Sequence, residues 1–427
     1  MDILGLLARS LHVGAAVAAV LLVAAAGRFA ARRLRQPEVV GEILCGVLAG
    51  PVVVGLAGPA ALRTVLPPDV LEVLKILATA GVVLFLTGLT HGSRVSTSPA
   101  ERRSLPWTAA GAFVPSLLAG AALAWWICAS GQPPLRGTAP AGAFVLFLAV
   151  AFSVTAAPVL ARILADRGLV EVPVGRIALK TALLVDSAAW LLLTVAVGLA
   201  SGSSAGFVRA LVVVAGAAVV AAILHRLLRT GKAGAWCARS PRGAAAVLAV
   251  LALAAAFSAE RLGMTAILGA VLVGAVLPAE ASSPWRDAVR PVAATGRGLV
   301  PLFFVITGVN VFLTAFGATP PLLVVAVLVA GLLAKLLGGY AGARLGGHSR
   351  LTAFRLGALV NTRGLTELVV LQVGYSAGII SDALFFSLLV LALAATAMTG
   401  PLLALADRIE TRGAAVPAHP SSGSGVR

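Results

Sequence analysis

Sixteen acidic residues are spread over 427 positions, and one of them, Asp186, stands inside the apolar string TALLVDSAAWLLLTVAVGLA (181–200). Its carboxylate is a hard oxygen ligand, able to hold a proton or a metal ion. When such a group is partly desolvated the two compete for it, and competition for a single site is what exchange requires. Ser187 follows directly with a hydroxyl. Lys335, Arg363 and Glu367 are embedded in apolar sequence in the same way. A charge near the middle of a bilayer costs at least about 2.5 kcal/mol, so each should face a cavity, pair with a partner, or both. Lys335 reads as a salt-bridge residue, either for Asp186 in the empty state or for a fixed acid. Arg363 and Glu367, four apart on one helix, can pair with each other and offset dipole charge. The blander alternative for Asp186 is a carboxylate parked in a salt bridge or satisfied by hydroxyls. For Lys180, six residues earlier, it is snorkelling toward the headgroups.

The elements that must position these charges lie in lipid. Apolar residues make up 59% of the chain and charged residues 11%, a balance no water-soluble domain presents to solvent. Runs of about 20 apolar residues follow one another with short Arg-, Pro- and Gly-containing linkers between them. Thirteen spans are expected, at 11–30, 37–57, 70–90, 106–128, 139–165, 176–200, 206–228, 243–259, 263–279, 296–316, 320–344, 351–377 and 382–406. One transmembrane domain therefore fills 1–406, and 407–427 reads as a short disordered cytoplasmic tail. With the N-terminus outside, 24 of the 33 basic residues fall in cytoplasmic segments. Only Arg9, Arg63, Arg136, Arg209 and Arg261 are external, the asymmetry expected of a multi-pass protein of the inner or plasma membrane. The net charge of +17 is thus topology rather than a nucleic-acid surface.

Two spans are interrupted at mid-depth. The fifth carries Ser153, Thr155 and Pro158; the twelfth carries Asn361, Thr362, Arg363, Gly364 and Glu367. Proline removes a backbone donor and glycine loosens the helix, so both can open in the middle of the membrane. The fifth span runs inward and the twelfth outward. Breaks in two oppositely oriented segments point to an inverted-repeat transporter with its site where they meet.

Four strings carry a resemblance: QPEVVGEILCGVLAGP (36–51), FSVTAAPVLARILADRGL (152–169), PLFFVITGVNV (301–311) and ALVNTRGLTELVVLQVG (358–374). They are similar to those of the second monovalent cation:proton antiporter family, which includes Kef-type systems and sodium/proton exchangers. The resemblance implies an all-α polytopic fold of about thirteen helices with inverted repeats and two crossed discontinuous helices. It also implies a mobile core, with site helices around 139–200 and 320–377, beside a dimerisation domain, and hence a homodimer. By position, Asp186 matches the ion-binding aspartate, Thr155 the unwound segment near it, and Lys335 the lysine of the partner helix. Family members usually carry Asp or Asn just before the ion-binding aspartate, and Val185 stands there in this chain.

The function so implied is exchange of K+ or Na+ for H+ by alternating access, with Asp186 as the cation and proton site and Thr155 and Ser187 beside it. One acid instead of two makes one-for-one, electroneutral exchange the simplest stoichiometry, unless Lys335 also releases a proton. The alternative is a repurposed scaffold, either non-transporting or enzymatic, or exporting a small organic substrate. No phosphate cradle, nucleophile elbow or HExxH is present, so no enzyme is expected. Cys45, Cys128 and Cys237 lack metal or disulfide spacing, and no cofactor is expected.

Overall fold

In the computed structural model, residues 3–34, 36–58, 66–94, 98–130, 135–200, 205–262, 266–278, 283–312 and 319–414 are described. Arg35, Arg63 and the segment 415–427, which enter the reading of topology and tail, lie outside them. The described residues fold into α1 (Ile3–Arg33), α2 (Glu38–Ala57), α3 (Pro68–Arg94), α4 (Pro99–Ala129), α5 (Ala141–Ser153), α6 (Ala157–Asp166), α7 (Pro173–Ala200) and α8 (Ala205–Leu228). Then come α9 (Gly231–Arg239), α10 (Pro241–Arg261), α11 (Ala266–Val276), α12 (Trp285–Phe312), α13 (Pro321–Leu345), α14 (Arg350–Val360), α15 (Leu365–Ser376) and α16 (Asp382–Ala414). Several open on proline, whose missing N–H is no loss in a first turn. Among the described residues, nine helical stretches are long and apolar enough to cross a membrane, α5 and α6 together forming one of them. The protein is all-α and polytopic.

Most of the described helices fall into two groups. In one, α12 lies along α3 and α2, α1 packs on α2, and α10 and α11 close against α3 and α12. In the other, α13 runs along α4, α5 is held between α4 and α7, and α14 packs on α13 and α16. The α4–α13 crossing is backbone on backbone: a Cβ at Gly111 would collide with the Gly338 carbonyl and lie 2.6 Å from the Gly342 Cα. Small residues permit this approach, the usual basis of helix association where lipid offers no hydrophobic driving force. On one face of this second group the strand-like segment before α5 bridges antiparallel to the one after α15, Arg136 to Ile380. Gly137 and Ala139 donate there to the carbonyls of Ile379 and Gly378 at 3.2 and 3.1 Å.

The helices depart from the hydropathy spans at several points: α1 begins at Ile3 instead of 11 and α4 at Pro99 instead of 106. The tenth expected span begins at Trp285 instead of 296. The short α9, with Trp236 exposed and Cys237 buried, was not legible as a span because it is only 9 residues long and not apolar throughout. The tail expectation also needs correcting at its start, because α16 continues without interruption to Ala414. Arg355 holds its last turns, with Nη2 2.6 Å from Asp407 and 2.7 Å from Glu410, so those residues are helical rather than disordered.

A bulky side chain at the tightest crossing is the direct test of this packing. Gly338→Leu is expected to cost at least about 1–3 kcal/mol through overpacking, read as a lower thermal midpoint of the detergent-purified protein. Gly142→Ala, where no atom lies within 4 Å of the added Cβ, should leave it unchanged or slightly raised.

Candidate functional site

The two interrupted spans are each broken in the structure, and the breaks touch. The segment 154–156 separates α5 from α6, which restarts with Pro158 in its first turn; 361–364 separates α14 from α15. Ala156 N–H donates to the Thr362 carbonyl at 3.1 Å, and the Thr155 hydroxyl donates to the Val360 carbonyl at 3.4 Å. Gly364 has φ 149° and would bring a Cβ within 2.8 Å of Val159 Cγ2, so the second break needs glycine where it passes α6.

A helix that stops in a dry interior leaves its last four carbonyls without amide partners. At the end of α5 these are Ala151, Phe152, Ser153 and Val154, and two cations meet all four. Arg363 Nη1 donates to Ala151 O at 3.0 Å and Nη2 to Phe152 O. Lys335 Nζ donates to Ser153 O and, at 3.2 Å, to Val154 O. Both side chains are 0% exposed. Positive charge at a helix C-terminus also complements the dipole. Arg363 Nη1 pairs in addition with Glu367 Oε1 at 2.7 Å, a fully buried i,i+4 ion pair in the first turn of α15. The other break is tied by neutral groups: Thr396 Oγ1 lies 3.2 Å from the Arg363 N–H and 2.5 Å from the Arg363 carbonyl, and the hydroxyls of Thr362 and Thr399 are 3.3 Å apart.

Asp186 lies half-way along the 28-residue α7 and is 4% exposed, with Oδ1 lacking a hydrogen-bond partner. Leu183, Ser187 and Trp190 share its face and, with Ile267, Leu268 and Val271 of α11, line a narrow cleft. The free volume is about 10 Å³, near the threshold for one water. The carboxylate therefore faces the boundary between the two helix groups.

Several candidate residues are placed differently from a simple ligand cluster. Lys335 is not within ion-pair distance of Asp186; it lies in electrostatic reach of it while its N–H groups serve the α5 carbonyls. The ammonium is drawn there because those carbonyls have no other donor. The Ser187 hydroxyl donates within its own helix to Leu183 O at 2.8 Å, and the Thr155 hydroxyl donates across to Val360 O of α14. Neither donates to Asp186, although their lone pairs remain. Ser153 likewise donates to Val150 O at 2.9 Å. Asn361 is fully buried with neither side-chain polar atom paired. Val185 packs with Ala112 and Val360, so the position before Asp186 is apolar in its surroundings as well as in its side chain. Lys180 is 15% exposed and lies 3.7 Å from Glu101 in the first turn of α4, to which Arg176 also pairs. Trp190 and the α11 residues were not singled out as site residues. The indole was legible as four residues from Asp186 on the same face; the α11 contacts carry no polar signal.

The transmembrane family described as "Sodium/hydrogen exchanger, transmembrane" matches residues 17–405. The chain belongs to this family. It is 31% identical to the Na(+)/H(+) antiporter NhaS4 of Synechocystis sp. over 382 residues, 87% of this chain and 91% of that protein. It is 34% identical to cation/H(+) antiporter 17 of Arabidopsis thaliana over 400 residues, 90% of this chain and 47% of that one. With K(+)/H(+) antiporter 1 of Saccharomyces cerevisiae it shares 28% identity over 87% of this chain and 44% of that one. The chain thus spans about half the length of the plant and yeast relatives. Its fold is similar to that of the sodium proton antiporter MjNhaP1 of Methanocaldococcus jannaschii, with a TM-score of 0.62 over 96% of this chain and 99% of that one at 14% identity. These relatives are transporters, and the chain is not an enzyme.

The doubly employed Arg363 gives a measurable expectation. Arg363→Met strands Glu367 and two carbonyls, and breaking a buried pair in this way costs about 3–5 kcal/mol. The loss of thermal midpoint should be partly recovered in Arg363→Met/Glu367→Gln, since the second change removes the stranded charge.

Proposed function

We propose that the protein is a cation/proton antiporter that exchanges a monovalent cation, K+ or Na+, for H+ across the cell membrane by alternating access, with Asp186 binding either ion in turn. The observation that carries this reading is the placement of Asp186: mid-helix, buried, with an unpaired oxygen, and lining a cleft between two helix groups. A carboxylate there meets one side of the membrane or the other as the groups move, and a proton and a cation occupy it alternately. The names of the relatives support the same reading. The basic asymmetry of the loops supports an external N-terminus and a cytoplasmic C-terminus. The helix group containing α4–α7 and α13–α16 would be the mobile core and the other the scaffold, with homodimerisation through the latter and the broken spans related as inverted repeats.

Thr155 and Ser187 supply oxygen lone pairs beside the site, and the apolar surroundings of Val185 leave one acid to titrate. Exchange of one cation for one proton follows, with no net charge moved.

Dye-reported proton flux in everted vesicles from an antiporter-deficient host tests the proposal. Dequenching on addition of Na+, Li+, K+ or Rb+ is expected and should disappear in Asp186→Asn at equal membrane content; normal exchange in that variant would sink the assignment. In proteoliposomes, an imposed membrane potential should leave the initial rate unaltered, and strong acceleration by it would exclude the one-for-one stoichiometry. Lys335→Ala should lower the thermal midpoint more than it weakens cation dependence, because its N–H groups hold the end of α5.

A further inference from the structure

Arg162 of α6 carries ion pairs across the boundary between the two helix groups. It is 8% exposed, and its Nη2 lies 3.3 Å from Glu38 and 3.9 Å from Glu42, both on α2. On its own helix it pairs with Asp166 at 2.9 Å. The α2 carboxylates are held in turn from α1, Glu42 by Arg28 at 3.1 Å and Glu38 by Arg32 at 2.7 Å. Glu42 is 0% exposed, with Oε2 lacking a hydrogen-bond partner. The result is a ladder of charge from α1 through α2 to α6, at the N-terminal ends of α2 and the C-terminal end of α6.

Close packing beside it is incomplete. Along α2 from this ladder, Val40, Ile43 and Leu44 face Gly364 and residues of α16 across an apolar cavity of about 220 Å³. A cavity lining forfeits the dispersion contacts that close packing would supply. The groups therefore meet here through ion pairs at a rim and an apolar contact, Val39, Val40 and Ile43 against Leu160, Ile163 and Leu164, that this cavity leaves incompletely filled. Directional contacts of this kind can be broken and remade as a unit, whereas interdigitated side chains resist sliding.

We propose that Arg162, with Glu38 and Glu42, is a latch that closes the site from the face where α2 begins, and that it must open in each cycle before that face can reach Asp186. The latch rests on the antiport reading, in which the two groups move relative to one another. In that frame, releasing Arg162 opens the cavity beside Ile43 and Gly364 toward the α2-N-terminal face, and closing it seals that route while the opposite one is used. Arg28 and Arg32 keep the α2 carboxylates in register for its return, so the scaffold side of the latch stays assembled in both states.

The test uses the full chain with Cys45, Cys128 and Cys237 replaced by Ser. In this background Glu38→Cys/Arg162→Cys is joined by a short reducible bifunctional thiosulfonate. Cross-linking should lower the exchange rate at least about tenfold, the effect of holding one state, and reductant should restore it; undiminished exchange by the cross-linked chain overturns the latch. A second measurement does not depend on transport. Ile43→Cys should react with a water-soluble maleimide, applied from the α2-N-terminal face, about threefold faster or more when Arg162→Gln is also present. Equal rates overturn the proposal. If the unsubstituted chain shows no exchange at all, the antiport reading fails, while the labelling comparison still decides whether Arg162 seals this route.

Discussion

Four carbonyl groups at the end of α5 govern much of what surrounds them. In hydrocarbon no water is at hand, and an unsatisfied backbone group costs several kcal/mol. A helix that breaks at mid-depth must therefore be met by donors from elsewhere in the chain. Here they come from Lys335 on α13 and Arg363 at the opposite break, each giving two bonds. Two positive charges buried for this purpose must then be balanced, which accounts for Glu367 beside Arg363 and for the carboxylate of Asp186 in the same field. The ionic content around the breaks follows from the interruption of a helix.

The tie between the breaks has a mechanical side. Ala156 and Thr362 share a backbone hydrogen bond, Thr155 reaches Val360, and the Arg136–Ile380 bridge joins the outer ends of the same segments. These contacts bind α5, α6, α14 and α15 into one body. Asp186 belongs to a helix packed on that body but faces α11 of the other group, so under the proposed alternating access its surroundings would change without disturbing the breaks.

Much of this was legible in the sequence, for a physical reason: intramembrane charges are so expensive that each marks a built feature. Asp186, Lys335, Arg363 and Glu367 stood out from their apolar strings, and Pro158 and Gly364 marked the interruptions. Beyond the local Arg363–Glu367 pair, what escaped was partnership between distant segments. Nothing in the string GLLAKLLGGY distinguishes a lysine aimed at a carboxylate from one aimed at carbonyls, because backbone acceptors have no sequence signature. Arg162 and Glu38 looked like ordinary loop-edge charges for the same reason, since their meeting depends on α2 and α6 being neighbours in space. The α11 wall of the cleft, made of Ile267, Leu268 and Val271, is indistinguishable from any lipid-facing surface until the fold is known.

The capping of α5 also bears on how such a chain is made. Ser153 and Lys335 are 182 positions apart, and Ala151 and Arg363 are 212 apart. A ribosome adds residues at roughly 5–20 per second, so the end of α5 enters the bilayer many seconds before its partners exist. Until the second half arrives, those carbonyls must be served by water in the translocation machinery, by an unbroken helix through 154–156, or by transient contacts. The first half of the chain is thus completed by the second, and a break that later belongs to the proposed ion site is, during synthesis, an instruction to wait.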